Sequence, residues 1–325
     1  MPTPSPAPND APSRAGSLDA CSDIAVFSPW PLFTVTIEHL AEGDEIYLHA
    51  GGQGVWVARM IEGLGREATL VGPFGGDQRH VIEALARGEG IQLRSVPIRG
   101  SNGGYVNDRR GGSRVEIANS RPPRLDRHEV DDLHNAMLAE GIRCGTAVIT
   151  GIPDGEVMPP AVYGRLVKDL KANKVKIVAD VAGTVLEAIE DGLDILKVSH
   201  EELQAAGLAQ DDSEASLIAA MDALRGKATS IVVSRAGAGC LALMEGELLE
   251  AIGPTLTPND PTGAGDSMTA ALAVALACGM SGVEALRLAT AAGALNVTRH
   301  GRGTGKLDDI RALSTSVEIK KVRAS

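Results

Sequence analysis

A glycine-rich turn followed by an aspartate is the stretch of this sequence whose residue types best suit chemistry. Asn259-Asp260-Pro261 predicts a turn, Gly263-Ala264-Gly265 follows it, and the residues beyond are mostly Ala, Leu, Met and Val, which favour a helix. The first amide N–H groups of a helix lack backbone partners and lie at the positive end of its dipole. The turn therefore predicts an anion site, with phosphate as the natural guest.

Asp266 stands at the mouth of that predicted site. A carboxylate there can accept the proton of a hydroxyl that attacks a phosphorus atom, which is the chemistry of phosphoryl transfer. Aspartate is also a favoured helix cap, so the local pattern alone leaves base and cap as two interpretations.

The whole segment 260–266, followed by small residues at Ala270 and Ala271, resembles the C-terminal signature of the ribokinase-like (phosphofructokinase B) family of sugar kinases. The resemblance implies that Asp266 is the catalytic base and that Gly263, Ala264 and Gly265 form an anion hole. It also implies a three-layer α/β/α domain with a mainly parallel sheet and a small β-sheet lid. The implied cofactors are ATP and Mg²⁺, with a monovalent cation left open.

The elements that must position this turn alternate along the chain. Predicted strands lie at 23–27, 68–75, 147–150, 175–181, 194–198 and 230–234, and predicted helices at 78–88, 126–140, 157–172, 185–190, 264–280 and 283–299. Such alternation predicts a parallel sheet covered on both faces, with ligands at the carboxyl ends of its strands. Asp180 ends one such strand and matches an aspartate of the family, which assigns it to the substrate side.

Two stretches of short, alternating pattern, 32–49 and 92–118, predict a small separate sheet. In the family that sheet is a lid over the sugar and, in some members, a dimer surface, so a homodimer through the lid is the implied assembly. We expect the kinase domain to span 21–325. Residues 1–20 are rich in Pro, Ala and Ser without an apolar run, which predicts a disordered leader.

The sequence Gly51-Gly52-Gln53-Gly54 before Val55-Trp56 resembles the N-terminal signature of the family, nearest to the 1-phosphofructokinase and tagatose-6-phosphate kinase branch. Gln53 replaces the branch's lysine, and Trp56 replaces the asparagine that binds sugar hydroxyls. A gapless alignment also puts Leu32 at the sugar-binding aspartate, unless the alignment slips within 28–32. Because such a site discriminates through fixed polar partners, these changes argue against ordinary fructose 1-phosphate or tagatose 6-phosphate as acceptor.

Arg114 lies where the branch carries an arginine of the acceptor site. A guanidinium offers a planar fork of donors that suits phosphate. A solvated hairpin tip is the alternative interpretation of this arginine.

The resemblance implies that the nucleotide side is formed by three further segments, namely 197–203, the loop at 235–240 and the helix at 283–299. Lys197 to Leu203 resembles the family's Lys-Pro-Asn-x-x-Glu-Leu, so Glu202 is the implied magnesium residue and Ser199 replaces the asparagine that touches nucleotide phosphates. The implied nucleotide-contacting residues are Ser199, Glu202, Ser234, Gly237, Gly239 and Asn296.

Composition limits the partners and the compartment. The formal net charge of −11 and the predicted pI of about 5.2 argue against nucleic acid and anionic membranes as partners. Four scattered cysteines without a CxxC pair predict reduced thiols in a cytoplasmic protein, and the sequence contains no apolar run of membrane-spanning length.

These patterns predict an ATP-dependent kinase that phosphorylates a hydroxyl of a small sugar or sugar phosphate. Leu32, Trp56 and Ser199 motivate one alternative, a nucleotide-binding regulatory protein without phosphotransfer. The other is a nucleoside kinase in which Trp30 or Trp56 stacks on a base.

Overall fold

The structure, a computed structural model, describes residues 21–152, 157–257, 261–299 and 301–322. The expected leader at 1–20 and the predicted turn residues Asn259 and Asp260 lie outside these ranges. The strands of the described residues, in chain order, are β1 (Ile24–Phe27), β2 (Leu32–Leu40), β3 (Gly43–Gly51), β4 (Ala68–Phe74), β5 (Gln92–Pro97), β6 (Gly104–Asp108), β7 (Val115–Ser120), β8 (Thr146–Thr150), β9 (Lys176–Asp180), β10 (Leu193–Ser199), β11 (Ala228–Ser234), β12 (Cys240–Met244), β13 (Glu247–Ile252) and β14 (Glu318–Lys321).

The α-helices of the same ranges, in chain order, are α1 (Gln53–Gly63), α2 (Gln78–Gly88), α3 (Arg127–Cys144), α4 (Ala161–Ala172), α5 (Gly183–Ala188), α6 (His200–Ala205), α7 (Glu214–Leu224), α8 (Ala264–Ala277), α9 (Gly282–Asn296) and α10 (Leu307–Ser314). The predicted helix at 157–172 begins later, at Ala161, because prolines at 159 and 160 keep the residues before them out of the helical conformation.

The large sheet has the strand order β14-β13-β12-β11-β10-β9-β8-β1-β4-β5 in the described residues. The strands that run parallel to one another are β11, β10, β9, β8, β1, β4 and β5. The remaining edge, β12–β13–β14, is antiparallel. Central strands such as β1 and β8 are buried at every position, as expected for strands covered by helices on both faces. One hydrophobic cluster on each face holds the helices to the sheet, so the layered α/β/α prediction is confirmed.

A separate four-stranded sheet, the small sheet, has the order β3-β2-β6-β7. Residues 92–97, predicted to belong to it, instead form β5 at the edge of the large sheet, paired in parallel with β4. That part of the prediction is wrong because an alternating strand fits the edge of either sheet. Burial of Val96 in the main core decides which sheet it joins.

The prediction that the cysteines are reduced thiols is wrong for Cys21 and Cys278, which form a disulfide across a sequence separation of 257 residues. The other two, Cys144 and Cys240, are free and buried. The folded sheet brings the start of the first strand to the end of α8, and residue spacing does not encode that proximity. No helix of the described ranges is both long enough and apolar enough to cross a bilayer.

Candidate active site

The glycine turn opens directly into α8, as the sequence predicts. Gly263 precedes the helix in the left-handed conformation with φ 88°, and a Cβ there would lie 3.0 Å from Cβ of Arg302. Its N-cap residue, Gly263, carries no side chain that could cap the helix. Asp266 lies inside the first turn, where its carboxylate accepts a hydrogen bond from Gln53, and the first amides of α8 are the groups that could face an anion.

Asp266 is half-buried in the first turn of α8. Desolvation, followed by the charge of Asp180, raises the pKa of Asp266 to about 7. Lys197, Arg302 and a hydrogen bond from Gln53 oppose that rise. A carboxylate with a pKa near neutrality is basic enough to take a proton and is about half ionised at neutral pH, which suits a general base.

A buried ion pair lies behind Asp266. The Nζ atom of Lys197 is 3.1 and 3.2 Å from the two carboxylate oxygens of Asp180, and both side chains are at least 93% buried. The hydroxyl of Thr269 donates to Oδ2 of Asp180 at 2.6 Å, which ties the pair to α8. Burial alone would lower the pKa of Lys197, but the carboxylates of Asp180, Glu202 and Asp266 outweigh it and raise that pKa.

Lys197 also lies against the glycine turn. A Cβ at Gly265 would come within 2.7 Å of its Nζ atom, so a side chain there would displace the ammonium group. The lysine thus places a fixed positive charge beside the first turn of α8, where a transferred phosphate would gather negative charge.

Gln53 joins the start of α1 to the carboxyl ends of two strands. Its Oε1 accepts from the amide of Gly151 at 3.0 Å, and its Nε2 lies 3.4 Å from the carbonyl oxygen of Asp180. Gly51 and Gly52, which precede it, pack tightly on β2 and on Trp30, because a Cβ on Gly52 would lie 2.4 Å from the Trp30 carbonyl oxygen. Close packing therefore explains why glycine stands at both positions. The side chain of Gln53 faces Asp266.

Asn296, predicted to border the nucleotide, is 1% exposed and holds two loops together. Its Nδ2 donates to the carbonyl oxygen of Thr262 at 3.0 Å, and its Oδ1 accepts from the amide of Gly303 at 2.8 Å. Its amide group fixes the glycine turn relative to the segment that carries Arg302.

Ser199 and Glu202 form a reciprocal cap at the start of α6. The Glu202 amide donates to Oγ of Ser199 at 3.1 Å, and the Ser199 amide donates to Oε2 of Glu202 at 2.7 Å. The serine hydroxyl proton and the second carboxylate oxygen take no part in this cap. Both remain candidates for phosphate and for magnesium.

The strand-end residues Ser199 and Ser234 lie side by side, in register on adjacent parallel strands. Beyond Ser234 a short 3₁₀ turn leads into β12, and a Cβ on Gly237 would meet nothing within 4 Å. Gly239 differs, since its φ is 82° and a Cβ would lie 2.0 Å from the carbonyl oxygen of Ala251. Gly237 is open to a ligand, whereas Gly239 is required by the hairpin.

A cavity of about 480 Å³ lies between the small sheet and the start of α1. Its lining residues come from both parts of the fold: Thr34, Thr36, Glu38, Leu40, Tyr47, His49, Trp56, Arg59, Tyr105, Asn107, Arg109, Arg114, Gly301 and Arg302. Leu32, aligned with the family's sugar-binding aspartate, is 4% exposed beside Gly51, so an apolar side chain stands there.

One wall of this cavity is a continuous stack. The guanidinium of Arg302 lies 4.6 Å from the ring centroid of Trp56 and donates to the hydroxyl of Tyr105 at 3.1 Å. The guanidinium of Arg114 lies 5.2 Å from the Tyr105 ring and donates to Asn107 at 2.9 Å. The structure therefore brings Arg114 and Trp56, predicted for the substrate side, to one cavity.

No group of three or more His, Cys, Asp or Glu residues that could hold a metal occurs in the described part of the chain. The acidic side chains near the glycine turn are Asp180, which is held by Lys197 and Thr269, and Glu202, which keeps one carboxylate oxygen free of its cap. A single carboxylate oxygen suits Mg²⁺, because this ion usually keeps several water ligands and also binds phosphate oxygens of the substrate.

Sequence reasoning missed three residues of the site, namely Lys197, Thr269 and Arg302. Lys197 was read only as part of a strand-to-helix segment, although a lysine in an otherwise apolar strand signals a buried charge with a partner. Arg302 lies in a Gly-rich segment at 301–305 that carries no local signal. Its position over Trp56 arises only from packing of that segment against α1.

Comparison with known proteins agrees with this geometry. A family model described as pfkB family carbohydrate kinase matches residues 32–309. ATP-dependent 6-phosphofructokinase isozyme 2 of Mycobacterium tuberculosis is 28% identical over 268 residues, covering 80% of this chain and 77% of that protein. The 1-phosphofructokinase of Haloferax volcanii is 26% identical over 288 residues, covering 86% and 90%.

Among solved structures, phosphofructokinase-2 from Escherichia coli in complex with potassium superposes with a TM-score of 0.80 at 21% identity, covering 91% of this chain and 99% of that one. Ribokinase of Arabidopsis thaliana, complexed with ribose and ATP, gives a TM-score of 0.69 at 22% identity, covering 90% and 99%. At these identities the structures show a shared fold.

Proposed function

As a member of the pfkB family of carbohydrate kinases, this chain is an ATP-dependent kinase of a small sugar or sugar phosphate, and we propose that Asp266 is its base and the turn Gly263-Ala264-Gly265 its anion hole. The observation that carries the proposal is Asp266 itself, a half-buried carboxylate with a pKa of about 7, one residue beyond an uncapped glycine turn. The acceptor hydroxyl gives its proton to Asp266 while the turn's amides stabilise the charge on the transferred phosphate.

The parts of the mechanism have separate places in the fold. ATP phosphates lie at the carboxyl ends of the parallel strands, near Ser199, Ser234 and the open Gly237. Gln53 donates a hydrogen bond to the base, and the charges of the buried Asp180–Lys197 pair act on its pKa. The acceptor occupies the cavity under the small sheet, which we propose acts as its lid.

The free carboxylate oxygen of Glu202 would hold magnesium at this site. When bound, Mg²⁺ neutralises phosphate charge during transfer. A monovalent cation is a further candidate, since the Escherichia coli relative was solved with potassium. Equal rates in potassium and sodium salts would argue against a specific requirement for potassium.

The test of the proposed function is ADP release from Mg-ATP across a panel of sugars, sugar phosphates and nucleosides. Asp266→Asn should lower kcat by about 10²-fold or more with ATP affinity retained, because it removes the general base. Asp308→Asn is the matched control, since Asp308 is an exposed acidic residue in the first turn of α10. A rate for Asp266→Asn equal to that of the control would contradict the assignment of the base.

We also propose a homodimer through the small sheet. The face turned away from the cavity is apolar and exposed at Ile46, Leu48 and Val115, which are 67%, 48% and 53% accessible. Val35 pairs with Leu48 and Ile37 with Ile46 on that face, so the patch is continuous across two strands. Such a surface suits a second copy.

Sedimentation of Ile46→Lys tests the dimer. The variant should sediment as a monomer while the parent protein sediments as a dimer, because the substitution would bury an unpaired charge in the interface. Leu208→Lys, at an exposed leucine away from the small sheet, should leave the dimer intact. A monomeric parent protein would contradict this assembly.

A further inference from the structure

We propose that Arg59 is a positioning residue of the reaction, which holds the segment carrying Arg302 against the end of β3 so that Arg302 stays beside the glycine turn. The inference rests on the proposed function and goes beyond it, because it gives a role to a residue that acts on Asp266 only through another. Arg59 lies in α1, the helix that begins at Gln53, and lines the same cavity as Arg302.

The guanidinium of Arg59 joins three segments that are distant in the chain. Its Nη1 donates to the carbonyl oxygen of Arg302 at 2.6 Å, and its Nη2 donates to that of Ala50 at 3.0 Å. Glu89, just beyond α2, accepts from Nε at 2.6 Å and from Nη2 at 3.0 Å. Ala50 belongs to β3, where the chain leaves the small sheet for α1. A planar fork of donors is needed to serve all of these acceptors, which makes the arrangement specific to arginine.

Arg59 is held more firmly than an ordinary surface arginine. Its side chain is 13% exposed, and that of Glu89 is 31% exposed. Hydrogen bonds from a charged donor are shorter and stronger than those between neutral groups, so the guanidinium is a rigid support for the two carbonyl oxygens. Its removal would take from Glu89 its cationic partner and from the carbonyl of Arg302 this donor. The 301–303 segment would then lose one of its anchors.

The backbone around Arg302 depends on such anchors. Glycines flank the arginine on both sides, with φ 99° at Gly301 and 67° at Gly303. Because glycine restrains the backbone least of all residues, the sequence itself does little to fix this segment. Asn296 accepts from the amide of Gly303 at 2.8 Å, and Arg59 donates to the carbonyl oxygen of Arg302. These two side chains therefore set the position of Arg302 from opposite ends of its own backbone.

The position of Arg302 affects the base. Its Cβ lies 3.0 Å from where a Cβ of Gly263 would lie, so the arginine starts beside the glycine turn. Desolvation and the charge of Asp180 raise the pKa of Asp266, whereas the charges of Lys197 and Arg302 lower it. Lys197 is fixed in its buried pair with Asp180, which leaves Arg302 as the charge whose distance from the base depends on a loop. Displacement of this loop would raise the pKa of Asp266 further.

Trp56 reports the position of Arg302 without any reaction. The chain has two tryptophans, so Trp30→Phe leaves Trp56, whose ring centroid is 4.6 Å from the Arg302 guanidinium, as the sole indole. In this background Arg59→Met should raise acrylamide quenching of the Trp56 fluorescence about twofold, because the guanidinium no longer stacks steadily on the ring. Quenching equal to that of Trp30→Phe alone would overturn the proposal.

The pH profile of kcat/KM is the kinetic test, with the acceptor that the panel identifies. Arg59→Met should move the acid limb to higher pH by about half a unit, because Arg302 no longer stays close to Asp266. Arg59→Lys keeps the charge at this position but lacks the fork, so it should move the limb in the same direction. A parent-like profile in Arg59→Lys would mean that the charge of Arg59 suffices, and would overturn a role through Arg302.

Arg143→Met is the matched control. Arg143 also joins separate segments, through Glu140 at 2.7 Å, Asp23 at 3.3 Å and Thr69 at 2.9 Å, but it lies at the amino ends of β1 and β4, away from the glycine turn. It should lower the urea midpoint as Arg59→Met does, yet keep the parent's Trp56 quenching and pH profile. An equal shift in this control would indicate a general loosening of the fold and overturn the proposal.

The two measurements separate this proposal from the kinase assignment. Absence of ADP release with every acceptor would refute the proposed phosphotransfer, while the quenching of Trp56 would still decide whether Arg59 holds Arg302 in place. A parent protein that reacts, beside an Arg59→Met variant with the parent's pH profile, would leave the kinase standing and refute the positioning role of Arg59.

Discussion

The two ends of the site are built in different ways. The proposed phosphoryl-transfer end, around Asp266 and the glycine turn, consists of backbone amides of α8 and of buried charges on the neighbouring strands. The proposed acceptor end, around Trp56 and Tyr105, consists mostly of exposed or half-buried side chains from the small sheet, α1 and the 301–305 segment. Substitutions at the first end should lower the stability of the core. Substitutions at the second end can change the bound ligand with little effect on stability.

The largest expected difference between the ends is in stability. Lys197→Met should lower the free energy of unfolding by about 3–5 kcal/mol, because it leaves Asp180 buried without its partner. Arg114→Met, at an exposed position, should change it by less than about 0.5 kcal/mol. Urea unfolding of the two variants measures both changes. Equal unfolding midpoints would contradict the proposed difference in stability between the two ends.

The disulfide gives a second test of stability at the core end of the site, because Cys278 lies at the C-terminal end of α8. Cys278→Ser should lower the free energy of unfolding by about 2–4 kcal/mol, since it removes the cross-link between the ends of the chain. A reductant should destabilise the parent protein and leave this variant unchanged. Thermal unfolding with and without reductant checks this, and no effect of reductant on the parent would refute a formed disulfide.

The pH dependence should separate the two ends next. Because burial raises the pKa of Asp266 to about 7, the ionised base is lost as pH falls through 7, and kcat/KM should then drop about tenfold per pH unit. At the acceptor end burial lowers the pKa of His49, so the change of charge there falls at lower pH than that of Asp266. A flat kcat/KM profile between pH 5 and 8 would argue against Asp266 as the base.

The smallest effect is expected from restoring the family's residue at the acceptor end. Trp56→Asn should change KM for the acceptor severalfold, as Arg302 loses its stack, with kcat within about twofold. Steady-state kinetics with varied acceptor measure both parameters. A fall in kcat of about 100-fold would show that Trp56 also supports the base and that the ends are coupled.

The sequence predicted the glycine turn and the start of α8 well because these elements are contiguous. A glycine turn, an aspartate and an apolar run on one segment specify a helix start, and that start is where α8 begins. Asp180 was placed at a strand end for the same local reason. The strand at 92–97 was assigned to the wrong sheet, since its alternation is compatible with two neighbours.

Some features lay beyond local patterns. The pairing of Cys21 with Cys278, the stacking of Arg302 on Trp56 and the role of Asn296 between two loops all join residues far apart in the chain. Each depends on how α1, α8 and the 301–305 segment pack, and a single sequence carries no signal for such contacts.

By itself, then, the sequence determined the parallel α/β architecture and the glycine turn that leads into α8 with its aspartate, because hydrophobic periodicity and turn chemistry act over a few residues. The tertiary structure alone decided how basic that aspartate is and what faces the acceptor. Desolvation, the neighbouring Asp180 and the approach of Arg302 set those properties, and all three arise from the burial and proximity that folding creates.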